Sequence, residues 1–143
     1  MSEIKRYKTR WISFNKFEGE VIKSFEPISF LGGIDSKTGM VTDTKNNLYK
    51  NSIKDKVLLI PFGVGSTVGS YVIYALKKNM VAPIAILVYK SDLIVPSGCA
   101  ISRIPYGLLS YEDWLEIESG CIAKAEKEDE IIVNFSKRNF RKV

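Results

Sequence analysis

The stretch Val57-Leu58-Leu59-Ile60-Pro61-Phe62-Gly63-Val64-Gly65-Ser66-Thr67-Val68-Gly69-Ser70-Tyr71 decides the reading of this chain. Its first half is an uninterrupted apolar run, as expected for a strand covered on both faces. Glycines then alternate with small residues and lead into a helical pattern. A turn of this kind aims free backbone N–H groups, and the positive end of a helix dipole, at whatever lies in front of it. Two hydroxyls, Ser66 and Thr67, stand at that spot. An anionic substrate, or a serine that must carry negative charge, is the group such a turn would serve.

The neighbouring segments follow from the same logic. The helix is expected to bury Val68, Val72, Ala75 and Leu76, with Ile73 as a further candidate. Ser66 or Thr67 is expected to cap its start, Lys77 and Lys78 suit its negative end, and Asn79 is a plausible stop. Pro83-Ile84-Ala85-Ile86-Leu87-Val88-Tyr89 reads as a second buried strand, so residues 57–89 form a strand–helix–strand unit with parallel pairing expected. Upstream, Gly19 to Phe25 reads as a strand, which Pro27 restricts to an edge or an end. Residues 30–49 are dense in glycine, Asp, Asn and Thr and read as a long functional or partner-binding loop. Downstream, the sequence suggests a short helix over 97–102, an apolar segment at 104–109 and an acidic helix over 111–118. Ser110 caps that helix, with Asp113 at the capping-box position. Two strands at 121–125 and 131–135 meet at a polar turn. This arrangement points to a layered α/β domain with a β-rich, partly barrel-like sheet.

Composition narrows the function classes. The chain has 143 residues, 45% of them apolar and 26% charged, and it fits one soluble domain spanning 1–143. No apolar run is long enough to cross a membrane and Met1 to Arg6 contains no signal-peptide core, so a cytoplasmic location is expected. Histidine is absent, which excludes Ser-His and Cys-His nucleophile pairs and the helical zinc motif built on two histidines. Cys99 and Cys121 are too few and too far apart to hold an iron–sulfur cluster or zinc alone, and read as buried thiols. The net charge of +5 sits largely at the two ends, in Lys5, Arg6, Lys8 and Arg10 and in Lys137, Arg138, Arg141 and Lys142.

Several features have plain structural readings. A glycine turn before a helix is often only a packing device, and the Walker A lysine and the dinucleotide glycine spacing are both missing. Arg103 is a candidate to bind a phosphate or carboxylate, but an arginine beside a turn is more often solvated, and Tyr71 and Tyr74 read as core or interface. The basic tail, 136–143, mixes charge with Phe140 as nucleic-acid contacts do, but a short terminal charge run is usually a solvated end.

Two separated motifs carry a resemblance. Glu26-Pro27-Ile28-Ser29-Phe30-Leu31-Gly32-Gly33-Ile34-Asp35 with Thr38-Gly39, and then Gly63 to Val72 with Lys78-Asn79 and Ala82-Pro83, resemble the signatures of the small subunit of the aconitase X proteins. The similar segments cover roughly residues 17–110. The resemblance implies a swivelling β/β/α domain that works with a separate large subunit, which binds a [4Fe–4S] cluster and most of the substrate. The activity implied is removal of water from the phosphorylated hydroxy acid (R)-5-phosphomevalonate, giving trans-anhydromevalonate 5-phosphate for isoprenoid precursors. A related bacterial branch acts on cis-3-hydroxy-L-proline, and an anion- or RNA-binding module without chemistry is the rival outside enzymes. Nucleic acid and membrane are not expected partners.

The family's proton acceptor is a serine in the glycine-rich turn, which carries over to Ser66, with Thr67 as the nearest competitor. Gly65, Thr67, Gly69, Ser70, Gly32 and Gly33 are the residues expected to meet the substrate. The chain departs from the family pattern at Val64, where Arg or Lys is common, and at Met80, where glycine is frequent.

Overall fold

The computed structural model describes residues 3–135; the basic tail at 136–143 lies outside them. Ten strands and four helical segments follow one another along the described residues. Ile4–Lys8 (β1), Arg10–Ser13 (β2) and Phe17–Lys23 (β3) come first, then Ile28–Ser29 (β4) and the helical turn Phe30–Gly33 (α1). Val57–Leu59 (β5), Gly63–Val64 (β6), helix Val68–Lys78 (α2) and Ala85–Val88 (β7) form the middle. Helix Ile94–Ser102 (α3), Tyr106–Leu108 (β8), helix Tyr111–Glu116 (α4), Ile122–Ala125 (β9) and Glu130–Asn134 (β10) complete it.

Eight strands make one mixed sheet in the order β1-β10-β9-β3-β5-β7-β8-β2. β3, β5, β7 and β8 run parallel, and the flanking pairs are antiparallel. The two edge strands, β1 and β2, are consecutive in the chain and separated by Thr9 alone. One residue cannot span a flat sheet of that width, so the sheet curls until its edges approach. The result is the nearly closed, barrel-like layer expected for a swivelling β/β/α fold.

Side chains alternate across this curved sheet with the two-residue period of strands. Val57, Leu59, Ala85, Leu87, Ala123, Ile131 and Val133 fill one core with Trp114 of α4. Leu58, Ile60, Ile86 and Val88 fill the other, against Ile73 and Leu76 of α2 and Val95 and Cys99 of α3. β5 and β7 are buried on both faces, which is why their sequences read as unbroken apolar runs. Cys99 and Cys121 form no disulfide and are buried in opposite cores.

The sequence-based elements hold with some corrections. β5 and β7 pair in parallel around α2, and the β9–β10 hairpin and the Ser110 cap form as expected, Ser110 Oγ accepting from the Asp113 amide at 3.1 Å. β3 is an interior strand, because it ends at Lys23 and Pro27 falls beyond it. On α2 the buried positions are Gly69, Ile73 and Leu76, while Val68 is exposed. α3 lies over Gly69, and a hydrophobic pattern gives a buried glycine no weight. Tyr71 and Tyr74 face solvent, not the core. α3 starts at Ile94, before the expected 97, because Pro96 sits in its first turn, where no amide donor is needed.

Candidate active site at the glycine-rich turn

The two sequence motifs, some thirty-five residues apart, meet in space. β4 and β6 pair in parallel, Ile28 opposite Gly63 and Ser29 opposite Val64, and α1 packs against α2. Gly32-Gly33 and Gly65-Ser66 therefore lie on the same end of the molecule, beyond the C-terminal ends of the parallel strands. Ligands of open α/β sheets bind at this end.

The turn itself is built for close approach. Gly65 has φ +117°, and a Cβ there would stand 3.2 Å from Ser29 Oγ. At Gly63 a Cβ would collide with Val95 Cγ2 and meet the Asp92 carboxylate at 3.2 and 3.4 Å. Ser66 and Thr67 are both exposed. The Gly69 amide bonds the Ser66 carbonyl at 2.9 Å and the Ser70 amide bonds the Thr67 carbonyl at 3.2 Å. Among the described residues, the amides of Ser66, Thr67 and Val68 have no backbone acceptor. Three consecutive donors are thus open at the start of α2, with the helix dipole behind them.

The hydroxyl expected to cap α2 does not do so. Thr67 occupies the cap position in a helical backbone conformation and its side chain accepts no bond. A side-chain cap normally needs an extended backbone at this position, and Thr67 is already helical. Ser70 Oγ instead donates to the Thr67 carbonyl at 2.8 Å. Gly69 is buried beneath α3, 3.3 Å from Ile94 Cγ2 measured at its missing Cβ. Of the residues singled out, Ser66, Thr67 and Gly65 are presented to solvent, Gly32 is exposed at φ +89°, and Gly33 is buried.

Four residues that the sequence did not single out hold this geometry. Ser29 Oγ donates to the Leu31 carbonyl at 2.9 Å and packs on Gly65. Thr42 donates from both its amide and its hydroxyl, to Gly33 and Gly32 carbonyls at 2.9 and 3.0 Å. Asn47 bridges the end of β3, donating to the Lys23 carbonyl and accepting from the Phe25 amide, each at 2.9 Å. Asp92 Oδ2 accepts from the Ile94 and Val95 amides at 2.9 and 3.1 Å, capping α3 against β6. Asp92 was legible in principle, since an Asp two residues before a helix with proline in its first turn is a start signal. Thr42 and Asn47 act across the loop and carry no local signature.

Behind the turn the Cys99 thiol and the Tyr106 phenol are held neutral. Burial pushes the Cys99 thiol up, and Asp92 adds to the effect. Burial likewise raises the Tyr106 phenol to about 12, with Ser91 opposing and Asp92 reinforcing the shift. Neither is poised to act as a base near neutral pH. Among the described residues no group of three or more His, Cys, Asp or Glu side chains converges as metal ligands, and with the two thiols on opposite faces of the sheet the donor set does not fit an iron–sulfur cluster. No helix among them is long and apolar enough to cross a membrane.

Residues 6–134 match the family model described as the aconitase X swivel domain. The phosphomevalonate dehydratase small subunit of Thermococcus kodakarensis is 55% identical over 100 residues, 70% of this chain and 75% of that subunit. The subunit of the same name from Methanosarcina acetivorans is 53% identical over 100 residues, 70% of this chain and 69% of its own length. The one from Thermococcus sibiricus is 43% identical over 121 residues, 85% and 92% of the two chains. A crystal structure of Thermococcus kodakaraensis aconitase X in its holo form superposes with a TM-score of 0.85 at 44% identity, covering 90% of this chain and 98% of that one.

Proposed function

The chain belongs to the aconitase X swivel-domain family, and from that premise we propose that it is the small subunit of a phosphomevalonate dehydratase. The enzyme is a hydro-lyase, and the name of the relatives implies a larger partner subunit. The substrate in this reading is (R)-5-phosphomevalonate, which loses a proton from the carbon beside its carboxylate and hydroxide from the next carbon. Water and trans-anhydromevalonate 5-phosphate are the products. The family is related to iron–sulfur enzymes, and in this reading the [4Fe–4S] cluster belongs to the larger subunit.

What this chain contributes is the proton acceptor and its setting. Ser66 Oγ is exposed on the turn, next to three open amides and the positive end of α2. That environment favours a negative oxygen, as preorganised donors do wherever charge develops. The turn's neighbours set its shape: Ser29 fills the space that Gly65 leaves, and Thr42 holds the Gly32-Gly33 bend against the same face. The observation that carries the reading is this convergence of both glycine motifs around one exposed serine.

The test is a reconstituted complex, purified without oxygen and assayed for water loss from 5-phosphomevalonate. Ser66→Ala should lower kcat by about 10²–10⁴, the range for a general base, while the complex stays assembled. Thr67→Ala should fall only a few fold. A Ser66→Ala complex that keeps its turnover would remove Ser66 from the mechanism. A cluster-loaded complex inactive on this substrate but active on another hydroxy acid would remove phosphomevalonate.

A further inference from the structure

The opposite end of α2 carries a concavity. The chain enters β3, β5, β7 and β8 there, roughly 16 Å from Thr67 at about 1.5 Å per residue along α2. A cleft of about 730 Å³ opens between these segments, within the size range of sites for small organic ligands. Lys16, Lys54, Lys77 and Arg103 line it together with Glu18 and Asp55. Phe17, Pro83 and Ile84 add an apolar wall.

Two independent features set this cleft apart. First, none of its six charged side chains makes an ion pair among the described residues, although Lys56 and Glu20 pair at 2.9 Å close by. Four cations against two carboxylates leave an uncompensated positive charge in a concave site, where field lines concentrate. Second, of the four non-glycine residues with positive φ among the described residues, three line it: Asp55 at 59°, Met80 at 63° and Arg103 at 59°. The left-handed conformation is unfavourable for any residue with a Cβ, and such residues gather at ligand sites. Met80 and Arg103 close the C-termini of α2 and α3, where glycine is the usual choice. The chain keeps side chains at these positions instead, and Asn15 Nδ2 donates to the Arg103 carbonyl at 3.3 Å and helps fix its backbone.

We propose that this cleft binds an organic polyphosphate of nucleotide size. The lysines and the planar guanidinium of Arg103 take the phosphates, since Arg presents paired donors to such oxygens. Glu18 and Asp55 accept from hydroxyl or amino groups on the ligand body, and that body packs on Phe17, Pro83 and Ile84. The site is separate from the glycine turn and does not depend on the reading of Ser66.

The experiment is a titration of the isotope-labelled full chain with ATP, ADP and inorganic pyrophosphate, followed by amide chemical shifts. Saturable shifts are expected at 15–18, 54–56, 77–84 and 103–105, with the nucleotides binding more tightly than pyrophosphate and all binding weakening with salt. Removing one phosphate-binding cation should weaken binding roughly tenfold. Lys54→Ala tests this, with Lys124→Ala, which removes a lysine paired to Glu126 elsewhere, as the unchanged control. Arg103→Gly is the decisive variant. It should raise the melting temperature by releasing the left-handed strain and at the same time weaken binding. Shifts centred on 63–70, the absence of saturation at millimolar ligand, or unchanged affinity in Arg103→Gly would each overturn the proposal. Equal affinity for pyrophosphate and the nucleotides would overturn the role of the apolar wall.

Discussion

At the N-terminal end of α2 the left-handed backbone is supplied by glycine, Gly32 at φ 89° and Gly65 at φ 117°, whereas at its C-terminal end Asp55, Met80 and Arg103 adopt φ near 60° with side chains attached. The first end presents bare amides and one exposed serine, braced by uncharged donors from Ser29, Thr42 and Asn47. The second presents charged side chains that pair with nothing among the described residues. The difference shows what each end has to offer a ligand. Where backbone atoms must be approached, side chains are removed. Where side chains must be presented, strained backbone is tolerated.

Adding a methyl group to the glycine end is the harshest test of this contrast. The Cβ of Gly63→Ala would overlap Val95 Cγ2 and crowd both oxygens of Asp92. Val95, in the first turn of α3, is itself buried, so its side chain has little room to give way. Overpacking of this kind costs about 1–3 kcal/mol, and the value expected here is near the top, about 3 kcal/mol, or roughly a 10 °C fall in Tm. Thermal unfolding measures it. A stable Gly63→Ala protein would mean that β6 is free to shift and that the turn is less fixed than its packing implies.

The bracing of that same end by Lys23 gives a smaller effect and a pH signature. Lys23 is buried, and its Nζ donates to the carbonyls of Trp114, Leu115 and Ile117 at 2.9, 3.2 and 2.8 Å, below the Trp114 ring face at 4.2 Å. It thereby closes the C-terminus of α4. Lys23→Met leaves those carbonyls without their donor, a loss of about 1–3 kcal/mol. Burial pulls the Lys23 ammonium below the ordinary lysine value, with Glu118 opposing. The folded state therefore releases this proton at lower pH than the unfolded chain does. Stability contributed through Lys23 should rise as pH climbs from the lowered value toward 10.5, and be flat below that window. Subtracting the Lys23→Met profile from that of the wild type isolates this slope, and a difference that falls with pH in that window would reverse the assignment.

The contrast between the ends was only half legible in the sequence. The glycine end announces itself locally, because Val57 to Tyr71 places an apolar run, glycines and a helical pattern side by side. β5, β7, α4 with its Ser110 cap and the β9–β10 hairpin were readable for the same reason. β1 and β2 were not: Ile4–Lys8 and Arg10–Ser13 are rich in Lys and Arg, and their partners are β10 and β8, more than ninety residues away. The far cleft was invisible because its charges come from four separate segments that only the closed sheet brings together. Left-handed φ at Asp55 and Arg103 leaves no mark in composition, and at Met80 only the departure from a frequent glycine hinted at it.

Met80 offers the mildest test, and its sign is opposite to that at Gly63. α2 ends with the Asn79 amide on the Ala75 carbonyl at 2.9 Å, the Met80 amide on Lys77 at 3.0 Å and the Val81 amide on Leu76 at 3.0 Å. The last two of these three bonds require a left-handed residue at position 80. Met80 is 80% exposed, so its side chain contributes little packing to offset the strain. In Met80→Gly the left-handed penalty of about 1 kcal/mol disappears, while the unfolded chain gains freedom and takes back part of that. A net gain of about 0.5 kcal/mol, roughly 2 °C in Tm, is expected. Met80→Ala keeps a Cβ and should gain nothing. If alanine and glycine stabilised the protein equally, the benefit would come from removing an exposed apolar side chain, and the strain at this end of α2 would not be what separates it from the glycine turn.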